Sequence, residues 1–459
     1  MKILALILSL SFLVVIHEFG HYCFARLFKT RVEKFYMFFN PWFSILRAKK
    51  CDGKWKFSWF STKSPEEFKQ YPDNTEWGIG WLPFGGYCAI AGMVDETHDA
   101  KNMAAEAQPW EYRSKKAWQR LLIVAGGVLV NFIGALVIYS LIMFHWGTDQ
   151  LPMANLPYGY DYNTTAQKYG LQNGDKILTV DGKEVVEMKE VVNELLLNEK
   201  QNLVVSRNGE KVSIKLPSTF AKEMIGNGEK AFALPRFPFV VGGFAEGSLA
   251  KKAGMKEGDS IVALNNTPTL SFSEFVSKIS RYSGKTICIS YYRNNVLDSI
   301  KIALDAEGKI GAYCKDFTSE IKTNHTDYGF FASIPKGISQ GWGTLVSYVK
   351  QFKFVFSKEG ASQLGGFGSI GSLFPASWDW HIFWNMTAFL SIILAFMNIL
   401  PIPALDGGHV MFTLWEMITG KKPGDKFMER AEMVGMILLF ALLIYANGND
   451  LFRWLTKKF

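Results

Sequence analysis

Charged residues are scarce in this chain, whereas aromatic residues are abundant. Asp, Glu, Lys and Arg make up 20 % of its 459 residues, and Phe, Trp and Tyr make up 15 %. These values indicate a partly membrane-embedded protein with a sizeable soluble portion, rather than a fully soluble one. The length allows about three domains.

Cysteine pairs with the spacing of a metal site are absent. The five cysteines are scattered, and only Cys288 and Cys314 could share an oxidising compartment. The net charge of +8 lacks the interleaved aromatic motifs of a nucleic-acid module, so no nucleic-acid partner is expected. The basic residues of the first and last loops instead fit a cytoplasmic face against an anionic lipid bilayer.

The N-terminal apolar run, residues 3–16, lacks the small-x-small cleavage site that would follow it in a signal peptide. Three later stretches also carry no charge, namely residues 121–144, 382–405 and 433–449. A helix needs roughly 20 apolar residues to cross ~30 Å of hydrocarbon. The sequence therefore predicts four transmembrane helices, within residues 1–26, 117–146, 380–410 and 430–452.

The long insert between the second and third predicted spans contains a duplication. Residues 166–177 (AQKYGLQNGDKI) align with residues 250–261 (AKKAGMKEGDSI). A repeat of this size, seen twice, indicates tandem domains rather than a solenoid. The pattern resembles that of PDZ domains, which implies two α+β domains with partly open β-barrels, at residues 150–220 and 235–316. PDZ domains usually take an extended peptide by strand addition; folded spacers are the alternative.

A stretch after the repeat mixes Lys336, Lys350 and Lys353 with aromatic residues. This pattern predicts an amphipathic helix over residues 330–358 that lies in the membrane interface. An ordinary amphipathic helix packed on protein is the alternative.

Within the first predicted span, the apolar run 3–16 is followed by His17-Glu18-Phe19-Gly20-His21. On a helix, His17 and His21 are one turn apart, so both imidazoles project from one face. That spacing suits one Zn²⁺ ion, with Glu18 beside it to transfer protons. About 0.01 matches to such a motif are expected by chance in this composition. A polar helix end at the membrane surface is the alternative.

A catalytic zinc ion needs three protein ligands and an open position for water. Asp406, which follows the uncharged run 382–405, is the candidate third ligand. A charged residue in a spanning helix costs ~2.5–3.5 kcal/mol on insertion scales, and a shared cation offsets this cost. Pro401 and Pro403 break the helix before Asp406, which is tolerated at membrane depth only in protein or beside a wet cavity. The sequence therefore predicts His17, His21 and Asp406 as zinc ligands.

Taken in order, these motifs resemble the site-2 proteases, intramembrane zinc metallopeptidases of peptidase family M50. Within that family, the chain is most similar to the bacterial regulators of sigma-E protease, which carry two PDZ domains. The resemblance covers nearly the whole chain. It rests on HEFGH, LPFGGY at residues 82–87, AGGV with Asn131 in the second span, and NxxPxPxxDG at residues 398–407. The chain departs from the family at Val128, often Pro there, and at residues 38–41, where the family has a Gly-Phe-Gly-Pro-like turn.

The resemblance implies a metalloendopeptidase with one zinc ion per chain and Glu18 as its general acid and base. Its substrates would be single-span membrane proteins such as anti-sigma factors, trimmed beforehand by another protease, with the PDZ pair excluding bulky ones. The resemblance also implies that residues 27–116 form a cytoplasmic, membrane-associated β-loop that holds the substrate extended. The implied substrate-binding residues are Asn398, Asn131, Pro401, Pro403 and Gly86.

The implied location is the bacterial inner membrane. Both termini and the PDZ domains would be periplasmic, and the active site would lie toward the cytoplasm. Two other functions remain open from the sequence. A PDZ-bearing membrane scaffold with a structural or vestigial metal site would be expected to lose Glu18, which is present. A metal transporter would show symmetry between its spans, whereas the repeat here lies in the soluble insert.

Overall fold

The structure is a computed structural model that describes residues 1–83, 85–93, 106–229, 231–317 and 321–456. Phe84 of the LPFGGY motif and residues 94–105 of the predicted β-loop lie outside the described residues. The chain forms two compact units. The helical unit comprises Met1–Gly147, Asp327–Ser357 and Ala361–Phe459, and the repeat unit comprises Thr148–Thr326 with Lys358–Gly360.

The α-helices are numbered in chain order. They are α1 (Lys2–Leu27), α2 (Glu66–Lys69), α3 (Ala117–Trp146), α4 (Thr164–Lys168), α5 (Met188–Val192), α6 (Phe220–Gly226), α7 (Leu249–Ala253), α8 (Phe272–Ile279), α9 (Phe330–Phe352), α10 (Lys358–Ala361), α11 (Phe367–Ser372), α12 (Trp380–Ile399), α13 (Asp406–Thr419) and α14 (Asp425–Thr456).

The strands are numbered in the same way. They are β1 (Val32–Met37), β2 (Ser44–Cys51), β3 (Lys54–Ser61), β4 (Glu76–Ile79), β5 (Tyr87–Ile90), β6 (Thr148–Gln150), β7 (Tyr160–Tyr162), β8 (Lys176–Val180), β9 (Lys183–Glu184), β10 (Asn202–Arg207), β11 (Glu210–Lys215), β12 (Ala233–Pro235), β13 (Phe239–Phe244), β14 (Ser260–Leu264), β15 (Thr267–Pro268), β16 (Thr286–Arg293), β17 (Val296–Ala303), β18 (Ala312–Cys314) and β19 (Asn324–Thr326).

Among the described residues, α1, α3 and α12 are the helices long and apolar enough to cross a membrane. They coincide with the first three predicted spans. The fourth predicted span falls within α14, which is not one of these three helices, so the count of four spans stays a prediction.

The third predicted span, residues 380–410, is divided in two. α12 ends at Ile399, and α13 begins at Asp406. Pro401 and Pro403 lack the backbone N–H that a continuing helix needs. Ala404 adopts a left-handed backbone with φ 79°, which completes the break. Asp406 is therefore the first residue of a new helix rather than the end of a continuous one.

α3 is the central helix of the helical unit, with α1, α9, α12 and α13 packed against it. The backbones of α1 and α3 touch at Gly20 and Gly126. A Cβ atom at Gly20 would lie 2.3 Å from the Gly126 carbonyl oxygen. Because both residues lack a side chain, the helix that carries HEFGH lies directly on α3.

α9 runs antiparallel along the C-terminal half of α3. Phe330 packs on Phe144 with ring centroids 5.7 Å apart, and Trp342 packs on Phe132 at 6.4 Å. These contacts fit the alternative interpretation of this segment, an amphipathic helix packed on protein. Its predicted location in the membrane interface stays a prediction.

Residues 32–90 contain a five-stranded sheet with the order β3-β2-β4-β1-β5. β1 pairs parallel with β4, and the other pairs are antiparallel. A cluster of buried apolar residues, including Ala25, Phe35 and Cys88, joins the sheet to the end of α1. The edge strand β5 is thereby held beside α1. The membrane association of this β structure stays a prediction.

In the repeat unit, the two aligned segments form equivalent turns. Asp175 accepts two hydrogen bonds from Arg207, at 2.9 and 2.7 Å, and Asp259 accepts two from Arg293, at 2.8 and 2.7 Å. Each turn leads into the same kind of antiparallel sheet, ordered β11-β10-β8-β9 in the first copy and β17-β16-β14-β13-β18 in the second.

A buried arginine connects the two copies. Arg236 lies 3.2 Å from Asp161 of the first copy and 3.2 Å from Glu274 of the second. The two copies therefore share an ion-pair network within one unit. Cys288 and Cys314 are both free thiols.

Candidate metal centre

His17 and His21 face each other across one turn of α1. Their rings are nearly perpendicular, with centroids 4.8 Å apart, and their Nε2 atoms are 3.3 Å apart. Both side chains are largely buried. The spacing predicted from the sequence is therefore realised on a continuous helix.

Asp406 completes a cluster of three potential ligands. Its Oδ2 atom lies 3.2 Å from His17 Nε2 and 3.4 Å from His21 Nε2. One ligand atom from each residue falls within 4.8 Å of the others. The start of α13 thus carries the carboxylate to the histidine pair on α1.

The geometry of the cluster fits a zinc ion. A tetrahedral ion with bonds of about 2.0–2.1 Å separates its ligand atoms by about 3.3–3.4 Å, close to the separations of 3.2–3.4 Å here. Asp406 Oδ2 is buried and accepts no hydrogen bond from the described part of the chain. Two imidazoles and one carboxylate are also a known ligand set of catalytic zinc.

α3 holds His21 in the orientation that a metal ligand needs. His21 Nδ1 lies 3.0 Å from the backbone carbonyl oxygen of Ile123. A carbonyl oxygen only accepts, so Nδ1 carries the proton and donates it. The lone pair of Nε2 then points toward Asp406 and is available to a metal ion.

Gly127 provides the space for the two imidazoles. A Cβ atom at this position would lie 2.5 Å from His21 Nε2 and 2.6 Å from His17 Cε1. Gly127 belongs to the AGGV motif, but its role beside the imidazoles is not evident from the sequence. The one sequence signal for this role is the presence of a glycine within an apolar helix, which indicates close packing at that position.

Glu18 lies half-buried beside the cluster, next to the start of β5. The backbone N–H of Cys88 donates a hydrogen bond to its carboxylate. Gly86 packs against Val14 and Glu18, so this predicted substrate residue borders the predicted acid and base. Because β5 pairs with β1 alone in the described part of the chain, its outer edge begins beside Glu18.

The other predicted substrate residues lie in two places. Asn398 is on the last turn of α12, half-buried, and Pro401 and Pro403 form the break that follows. Asn131 is on α3, and its Nδ2 atom lies 3.3 Å from His17 Nδ1. Asn131 therefore adjoins a predicted metal ligand.

Two further contacts in this region involve residues that the sequence motifs do not assign to the site. Buried Arg120 of α3 and partly buried Glu416 of α13 form an ion pair at 2.5 Å, which ties the helix that begins at Asp406 to α3. No local pattern predicts a pair separated by 296 positions. His409 lies 3.6 Å from Glu432 of α14 and does not belong to the ligand cluster.

A sequence model described as "Peptidase family M50" matches residues 5–62 and 55–442. The chain belongs to peptidase family M50. This M50 peptidase is 28 % identical over 482 residues to a protein of Neisseria meningitidis named "Putative zinc metalloprotease", with 99 % of both chains covered. It is 25 % identical to the "Regulator of sigma E protease" of Haemophilus influenzae, covering 97 % of this chain and 98 % of the relative. It is 26 % identical to the "Regulator of sigma-E protease RseP" of Salmonella typhimurium, covering 98 % of both.

Family membership makes this chain a zinc metalloprotease with apolar helices that suit a bacterial membrane. When bound, the zinc ion of such an enzyme supplies Lewis-acid activation of a water molecule and of the scissile carbonyl. The residues that surround the cluster determine how a proton is moved and how the ligands are oriented.

Proposed function

We propose that this M50 peptidase cleaves peptide bonds within single-span membrane proteins, using one zinc ion per chain held by His17, His21 and Asp406. The observation that carries the proposal is the convergence of these three side chains between α1 and the start of α13. A site within a spanning segment is supported by α1, which is one of the helices long and apolar enough to cross a membrane.

Glu18 is the acid and base of the proposed reaction. It takes a proton from the attacking water and delivers it to the leaving amine. Its position beside the cluster supports this role, as does the Cys88 N–H that orients its carboxylate. His21, held by the Ile123 carbonyl, keeps its Nε2 lone pair directed at the site.

The substrate binds as an extended segment along the outer edge of β5. A helical substrate hides its peptide bonds, whereas an unpaired strand edge accepts an extended chain through backbone hydrogen bonds. The side-chain amide of Asn398 makes no hydrogen bond within the described residues, so it is available to the substrate backbone. Gly86, Pro401 and Pro403 would line the same path.

The two copies in the repeat unit are PDZ domains, at residues 150–220 and 235–316, and they exclude substrates with bulky extracytoplasmic portions. Their equivalent aspartate–arginine turns support a common fold. The ion pairs of Arg236 to Asp161 and Glu274 support a pair that acts as one body.

The substrate class follows from the relatives named regulators of sigma-E protease. An anti-sigma factor, first trimmed by another protease, is the proposed partner. The proposed location is the bacterial inner membrane, with both termini and the PDZ pair periplasmic and the zinc site toward the cytoplasm.

The test compares wild-type protein with Glu18→Gln, purified in detergent as the full chain. A model single-span protein with a truncated extracytoplasmic portion is the substrate, and bound zinc is counted in both samples. Glu66→Gln, which removes a carboxylate that is 85 % exposed on α2, is the matched control. We expect cleavage by wild type and control, no cleavage by Glu18→Gln, and about one zinc ion in each.

Other outcomes contradict distinct parts of the proposal. Full cleavage by Glu18→Gln would exclude Glu18 as the acid and base. Zinc without cleavage of any truncated substrate would favour the scaffold alternative. Absence of zinc from the wild-type protein would refute the metal centre.

A further inference from the structure

We infer that Asn131 positions His17 as a metal ligand, by accepting a hydrogen bond from its Nδ1–H, and does not contact substrate. The inference rests on the proposed zinc site. It separates the roles of Asn131 and Asn398, which the family resemblance assigns together to the substrate.

Burial distinguishes the two asparagines. Asn131 is 1 % exposed, so an incoming peptide cannot reach its amide without displacing the helices around it. Asn398 is half-buried at the end of α12, and its amide is not engaged by the described part of the chain. Only Asn398 is placed to meet a substrate backbone.

The contact between Asn131 and His17 explains what the buried amide does. Asn131 Nδ2 lies 3.3 Å from His17 Nδ1, whereas Oδ1 is buried and has no partner among the described residues. A neutral imidazole carries one N–H group. When Nε2 binds a metal, that proton resides on Nδ1, which then needs an acceptor.

A half-turn of the Asn131 side-chain amide gives both His17 Nδ1–H and Asn131 Oδ1 a hydrogen-bond partner. Rotation by about 180° exchanges Nδ2 and Oδ1, which have nearly the same shape. Oδ1 then accepts from His17 Nδ1–H and no longer lacks a partner. The backbone stays in place meanwhile, because the Asn131 carbonyl oxygen accepts a hydrogen bond from Ser391 Oγ at 2.7 Å.

α3 would thus orient both histidines. The Ile123 carbonyl accepts from His21 Nδ1, and the Asn131 amide oxygen accepts from His17 Nδ1. Partners of this kind set ring orientation and ligand basicity, and their loss typically lowers metal affinity 10–100-fold. The consequence is a change in zinc affinity that is measurable with no substrate present.

The experiment measures the zinc dissociation constant of full-length, detergent-purified protein by competition with a chelator. The variants are Asn131→Leu, which has a similar size and no acceptor, and Asn131→Asp, which keeps an acceptor oxygen. Asn398→Leu is the matched control, with the same substitution on α12. KM and kcat for the truncated single-span substrate are then measured at saturating zinc.

We expect Asn131→Leu to bind zinc about 10–100-fold more weakly, and Asn131→Asp to bind it at least as tightly as wild type. Asn398→Leu should keep wild-type zinc affinity and show a raised KM. Wild-type zinc affinity in Asn131→Leu, together with a raised KM, would overturn the inference and assign Asn131 to the substrate. Weak zinc binding by both Asn131→Leu and Asn131→Asp would also overturn it, since the acceptor would then be irrelevant.

Asn131→Ser, which shortens the side chain and fills no new space, replaces Asn131→Leu if the latter does not fold. A failure of the proposed function can be told apart from a failure of this inference. Its failure would appear in the wild-type protein, as absence of zinc or as zinc without cleavage. In the latter case the zinc affinities of the Asn131 variants still decide the role of Asn131.

Discussion

The Nδ1 atom of His21 and the backbone carbonyl oxygen of Ile123 lie 3.0 Å apart, 102 positions apart in the chain. Because a backbone carbonyl has no side chain to mutate, this acceptor survives every substitution at position 123 that keeps α3 in place. His21 is therefore oriented by the path of α3 itself. The zinc affinity of the site should depend on how closely α1 and α3 approach each other.

Gly127→Ala tests that approach. The added methyl group would lie 2.5 Å from His21 Nε2 and 2.6 Å from His17 Cε1, so the rings must shift by about an ångström to restore contact distance. We expect at least a tenfold loss of zinc affinity, measured by chelator competition, with cleavage reduced accordingly. Gly134→Ala on the same helix is the control, since its Cβ would meet only the tip of the Ile16 side chain, at 3.2 Å. Equal zinc affinity in both variants would contradict the tight packing of the site.

Metal removal tests whether cleavage needs zinc, and substitution of Asp406 tests the carboxylate ligand. We expect a strong chelator to abolish cleavage by the wild-type protein, and added zinc to restore it. Asp406→Asn removes the ligand charge while keeping the size of the side chain, so we expect it to lose stoichiometric zinc in the same assay. If Asp406→Asn retained zinc with wild-type affinity, the third ligand would have to be another residue.

The ion pair of Arg120 and Glu416 should stabilise the helical unit and position Asp406. Arg120→Met leaves the partly buried Glu416 carboxylate without its partner, which costs about 1–3 kcal/mol of unfolding free energy. We expect lower thermal stability and weaker zinc binding. The double variant Arg120→Met with Glu416→Met leaves no unpaired charge, so it should recover most of the stability. A double variant as unstable as the single one would show that the pair contributes more than charge compensation.

The second repeat copy should lose stability in acid through Asp259. Burial by itself raises the pKa of this carboxyl, but hydrogen bonds from Arg293 and from the Lys256 N–H outweigh burial, and its pKa lies below the usual value. The folded state therefore binds fewer protons than the unfolded state, in which the pKa is about 3.9. The Asp259 carboxylate therefore stabilises the folded copy fully at pH values above the unfolded pKa. This stabilisation is lost as the pH falls through the lower pKa of the folded state.

Hydrogen-exchange protection of β14 and β16 in the full-length protein measures this effect. We expect protection to fall on going from pH 7 to acid, and Asp259→Asn to be less protected than wild type at pH 7. The difference between the two proteins should shrink in acid. Glu257→Gln, an exposed substitution in the same turn, serves as the control. A difference that persists unchanged in acid would mean that the Asp259 charge does not stabilise the copy.

The local order of apolar, charged and proline residues was enough to predict much of the architecture. The uncharged runs predicted α1, α3 and α12, because the hydrocarbon thickness sets the length of a spanning helix. The break before Asp406 was also predictable, since two prolines within three residues remove backbone donors. The sequence could not predict what the apolar face of α9 packs against. An amphipathic helix has the same residue pattern whether lipid or another helix covers that face.

The sequence by itself determined which residues have metal-binding chemistry. His17 and His21 share a helix face because the helical repeat depends only on residues close in sequence. Asp406 is a carboxylate next to an apolar segment, where a bound cation would stabilise its charge. Only the tertiary structure decided which atoms of distant residues meet. The contact of Asn131 with His17 spans 114 positions, and its 1 % exposure depends on how the helices pack around it. Asn131 and Asn398 look alike in the sequence, and packing alone places one against a ligand and leaves the other accessible.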